Sequence, residues 1–155
     1  MDDTARYAFH VSVHMRPHVV PPTVTVALDG AEYVAVRVEP RTLREPFLVS
    51  FEEAIDALAE LERMFVEPDG SFCWVSTDAA WRWQLDGNLY DRAGRVLLVD
   101  LKGCCPQPHF DRLLAALGHP RAELVFQLVR EAVFLPEAAF RQYAQRQGER
   151  LPVGQ

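Results

Sequence analysis

Cysteine is scarce in this chain, with only 3 in 155 residues. A small, odd number counts against a disulfide framework and fits reduced thiols. Lysine is scarcer still. Lys102 stands alone, and the other basic residues are all arginine, a bias that points to GC-rich coding and a bacterial source. No basic run occurs, and the formal net charge is −6. Both facts count against nucleic acid and anionic membranes as main partners, because phosphate contacts need clustered cations. No stretch approaches the roughly 18 apolar residues that cross a bilayer. The segment Met1–Arg6 is acidic with no apolar run behind it, which predicts no secretory signal and a cytoplasmic location. Gly-rich phosphate loops, the G-x-S-x-G elbow, calcium loops and the paired Cys or His-Glu-x-x-His metal motifs are all missing. Neither a cofactor nor a metal is expected.

What is present suits a soluble globular domain, with 49% hydrophobic and 25% charged residues. A chain of this length buries roughly 70% of the surface its unfolded form exposes, enough for one core without staples. One domain over 1–155 is expected, with 1–6 and 151–155 frayed.

Phe9, Val11 and Val13 alternate with His10, Ser12 and His14, the period of a half-buried strand. Pro17 ends it, and Pro21-Pro22 forms a stiff connector. Two β-rich runs, Thr23–Leu28 and Glu32–Val38, flank Asp29-Gly30, a hairpin signal because glycine accepts positive φ at little cost. Ser50 and Glu53 have capping-box spacing at the start of a helix. Phe51, Ala54, Ile55, Leu58, Leu61, Met64 and Phe65 extend its apolar stripe. Strands are predicted over Ser71–Ser76, around Trp81, Trp83 and Leu85, and over Arg95–Leu101, with a loop over Gly103–Pro108. A short helix carries Phe110, Leu113, Leu114 and Leu117. Residues 123–134 fit either period, and their Val and Phe content favours a strand. Pro136 opens a last helix, with Glu137 and Arg141 placed as an i,i+4 pair. This order gives hairpins and meanders rather than βαβ units. It predicts an α+β fold, a mainly antiparallel sheet with about three helices packed on one face.

Four constellations are candidates for function. Cys104-Cys105-Pro106-Gln107-Pro108-His109 precedes a helix, where a thiolate is stabilised and His109 can act as base to Cys105. The competing reading is a pair of space-filling cysteines. His10, His14 and His18 recur every four residues, but on a strand His10 and His14 lie about 13 Å apart, too far for one metal; exposed polar residues on a half-wet strand is the simpler reading. Phe72, Trp74, Trp81, Trp83 and Tyr90 form an aromatic cluster that reads as core. Trp81 and Trp83 also suit a stacking platform for a small ring. Finally, Phe51–Gly70 holds seven acids and one base, Arg63, and so carries the whole net charge. Within it Glu52, Asp56 and Glu60 form one stripe. Like charges at this spacing weaken a helix by roughly a few tenths of a kcal/mol per pair, so the stripe suits either a solvated face or the steering of a basic partner.

Two functions are compatible with these features. The first is a non-enzymatic interaction or accessory module that presents Glu52, Asp56 and Glu60 to a basic protein partner. The second is a small-molecule-binding protein or enzyme with an aromatic pocket near the Cys104-Cys105 segment, walled by Trp81 and Trp83 and reached by Cys105 and His109.

Overall fold

The alternating run around Val11 becomes the middle strand of a nine-stranded antiparallel sheet. A computed structural model describes residues 4–77, 80–121 and 123–152. In chain order the elements are β1 (Arg6–Met15), β2 (Thr23–Leu28), β3 (Ala31–Val36), α1 (Phe51–Ala59), β4 (Met64–Val66), β5 (Ser71–Val75), β6 (Gln84–Arg92), β7 (Arg95–Pro106), α2 (Gln107–Ala116), β8 (Leu124–Leu128), β9 (Val133–Pro136) and α3 (Glu137–Glu149). The sheet order is β2-β3-β9-β8-β1-β7-β6-β5-β4. The fold is the α+β single-sheet class that the hairpin pattern predicts.

Residues opposite each other in register share a face. Phe9, Val11 and Val13 therefore stand with Val99 and Leu101 of β7 and with Phe126 and Leu128 of β8. All three helices cover this face, and one core runs under them. The rings of Phe110 on α2 and Phe140 on α3 meet Phe9 edge-on at 5.3 and 5.4 Å, and Phe126 stacks on Phe140 at 4.4 Å. Each such side chain contributes about 1.5–3 kcal/mol by burial. Arg141 of α3 bonds Glu137 at 3.0 Å, as the i,i+4 spacing predicts. It also bridges to Asp111 of α2 at 2.7 Å, tying the two helices together. Gly148 lets α3 approach β1: a Cβ there would lie 1.9 Å from the Arg6 carbonyl oxygen.

Several sequence expectations need correction. The apolar stripe continues to Phe65, but α1 stops at Ala59. Its start has the full capping box, with both Ser50–Glu53 hydrogen bonds at 3.0 Å. Its end has acids, Glu60 and Glu62, where the helix dipole favours cations. Arg63 then takes a φ of 61° and turns the chain into β4. There Met64 is buried and Phe65 is exposed. The predicted strand around Trp81 and Trp83 begins only at Gln84, because the preceding residues close the β5–β6 connection through a Ser76 N–H to Trp83 carbonyl bond. The predicted loop 103–108 is instead the end of β7 and the start of α2, because β1 pairs with β7 as far as Arg6 opposite Pro106. Arg6 is thus the first residue of β1; residues 1–3 and 153–155 lie outside the described residues.

Residues 123–134 form neither one strand nor a helix but the β8–β9 hairpin. Val125 is buried on the sheet face away from the helices, while Leu124, Phe126 and Leu128 join the core. Apolar residues on both faces are what blurs the period. The β2–β3 hairpin forms on Asp29-Gly30, both with positive φ; its buried face is Tyr33 and Ala35, with Val34 exposed. His14 also departs from the exposed reading, being only 7% exposed. Its ring lies 6.1 Å from that of Phe134 and its Nε2 is 3.0 Å from Gln127 Oε1.

Candidate functional site

Pro106 and Pro108 bracket the first turn of α2, where fixed φ and a missing N–H are tolerated. The helix therefore springs directly from β7 and presents His109 toward the far end of the sheet. There the imidazole meets two indoles, Trp83 at 4.9 Å and Trp74 at 5.3 Å between ring centres. Trp74 and Trp83 in turn meet edge-to-face at 5.4 Å. Trp74 is fully buried and its Nε1–H donates to the Glu62 carbonyl at 2.9 Å.

Outside this stack lies a cavity of about 310 Å³, walled by Arg6, Trp81, Trp83, Pro106, His109 and Arg112. The size is at the lower end of the range for small-molecule sites. Arg6 stacks on the Trp81 indole, its guanidinium carbon 4.6 Å from the ring centre. Neither Arg6 nor Arg112 forms an ion pair among the described residues, although Arg16, Arg41, Arg141 and Arg150 each do. Burial and the nearby Arg112 charge lower the His109 pKa against a smaller opposing effect of Glu62. Both lowering effects favour the neutral imidazole. Its Nδ1 is buried without a hydrogen-bond partner among the described residues, an uncommon state for a buried polar atom.

The cysteine part of the motif goes elsewhere. Adjacent residues on a strand point to opposite faces. Cys105 turns into the core, with no exposed surface, and Cys104 turns to the other face. Burial pushes the Cys105 thiol far up, and Cys104 and Asp111 push it further. Burial also raises Cys104, with partial relief from the Gln84 backbone and Arg6. A nucleophile needs the reverse, a depressed thiol pKa and access. Asp111, two residues past His109, is engaged with Arg141. Among the described residues no group of three or more His, Cys, Asp or Glu side chains can hold a metal.

The aromatic cluster divides. Phe72, Trp74 and Trp83 are core residues, Tyr90 is exposed, and Trp81 is half-buried on the cavity wall. Glu52, Asp56 and Glu60 are exposed along α1, with no ion pair among the described residues. Glu53 is used locally, its carboxyl held below the usual range by bonds from Ser50.

Arg6 and Arg112 are the site residues that the sequence reading misses. Arg112 is three residues beyond His109, a spacing that puts both on one helix side. Nothing local marks Arg6, which reaches the site through strand pairing. Three other cavities are larger: one of about 360 Å³ beside Arg16, His119, Glu123 and Glu137, and two larger still. One of about 510 Å³ lies between connectors and is lined by exposed Val19 and Val20 with Arg37, Glu39, Arg44 and Glu45. The other, about 710 Å³, mixes Lys102, Arg130 and Arg150 with Asp29 and Glu131, and its Arg150 pairs with Asp29 at 3.4 Å.

Comparison with protein-family models, with curated proteins and with solved structures finds no match for this chain. Among the described residues no helix is long and apolar enough to cross a membrane.

Proposed function

We propose that this chain is a small-molecule-binding protein whose ligand carries a ring and sits against Trp81 and Trp83. One observation carries the reading: residues distant in sequence, from β1, the β5–β6 connection and α2, converge on one cavity with aromatic walls and a few polar groups. That composition is the common one for ligand sites. Cys105 is sealed in the core and takes no part in binding. Saturation-transfer NMR on the full chain with neutral ring compounds (indole, phenol, adenosine) tests it. Transfer to at least one compound, lost in Trp81→Ala, is the expected result. No transfer to any ring compound, charged or neutral, contradicts the reading.

A second reading rests on a separate observation, the three exposed carboxylates of α1 that no described cation neutralises. It makes the chain an interaction module for a basic protein. Reversing Glu52, Asp56 and Glu60 to Lys should then abolish salt-sensitive capture of a partner from the source cell. Capture that survives the reversal counts against it.

A further inference from the structure

We infer that the ligand of the Trp81–His109 cavity carries an anionic group, a phosphate or carboxylate, bound between Arg6 and Arg112. The inference rests on the cavity being a ligand site and adds the charge class of what fills it.

Charge is the first argument. The chain is acidic overall, at −6, yet among the described residues this cavity is walled by two guanidiniums and no carboxylate. Neither guanidinium is neutralised by an ion pair among the described residues. Holding two such cations at one small opening costs mutual repulsion, and the Arg112 charge is felt by His109. An anion between them removes that cost.

Geometry is the second. The Arg6 guanidinium lies over Trp81 without an ion pair among the described residues, and its planar fork is the shape that grips carboxylate and phosphate oxygens. Arg112, exposed midway along α2, approaches from a different element. No acidic side chain occupies the first turn of α2, so the positive end of its dipole adds to the same field.

Size is the third. The volume of about 310 Å³ limits the whole to one ring with its acidic group.

Calorimetry of the full chain at low salt tests the inference with matched pairs: phenyl phosphate against phenol, indole-3-carboxylate against indole, and inorganic phosphate alone. The ring anions should bind about 10- to 100-fold tighter than their neutral partners, as charge-assisted hydrogen bonds require. Comparing the two anions shows which acid is favoured. The advantage should shrink with added salt and be lost in Arg112→Gln, an exposed position whose change leaves the core intact. Arg6→Gln is the second variant. Equal binding of neutral and anionic partners overturns this inference and leaves the ligand site standing. An anion advantage that persists in both arginine variants also overturns it. Failure of every compound to bind overturns the site itself.

Discussion

The Arg6 guanidinium lies 4.6 Å from the centre of the Trp81 indole, joining the first residue of the central strand to the connection between β5 and β6. This contact gives Trp81 a defined place on the cavity wall, although the residue lies outside any strand. Exposed cation–π pairs are worth about 0.5–1 kcal/mol. Trp81→Ala should therefore cost little stability in a urea titration while removing ring binding. A loss above about 3 kcal/mol, the range of buried aromatics, would make Trp81 a core residue instead.

The start of α1 depends on the reciprocal Ser50–Glu53 bonds. Ser50→Ala should lower the stability of the chain by about 1 kcal/mol, the usual loss for an N-cap. Chemical denaturation measures it. No change would mean that packing of Ala54 and Leu58 alone holds the helix end.

Cys105 should react with a thiol probe only after denaturation, because it has no exposed surface and burial raises its pKa. Half-buried Cys73 and Cys104 should react earlier but slowly, their thiols also being raised. Fast native labelling of Cys105, located by peptide mapping, would contradict its place in the core.

Acid should weaken the fold through His14. Burial lowers its pKa from the ordinary 6.5, against smaller raising effects of Gln127 and Asp100. The unfolded chain takes up the proton more readily than the folded one in the window just below 6.5. The stabilising contribution is thus complete above that value and is lost as pH falls toward the folded pKa. The urea midpoint should drop between pH 7 and pH 5, and His14→Gln should flatten part of that slope. His109, shifted the same way, supplies a further part.

Much of this architecture is legible in the sequence where one local rule acts alone. The period of Phe9, Val11 and Val13 names a strand, Asp29-Gly30 a hairpin, and Ser50 with Glu53 a helix start. The end of α1 is not legible, because Met64 and Phe65 continue the helical spacing while belonging to a strand. The Pro-rich segment after Gly103 reads as a loop, yet pairing with β1 draws it into β7. Trp81, Trp83 and His109 can be picked out by residue type. Arg6 and Arg112 reach the same cavity through register and helix phase, and no local motif announces either.

The central claim is that ligands enter the cavity beside Trp81. The chain has 3 tryptophans, so a nitrogen–proton correlation spectrum carries three indole signals, one for each position around the site. Indole-3-carboxylate should shift the Trp81 signal saturably and leave Trp74, buried and bonded to the Glu62 carbonyl, in place. No indole shift with this compound or with neutral indole, or equal drift of all three signals, would contradict the account.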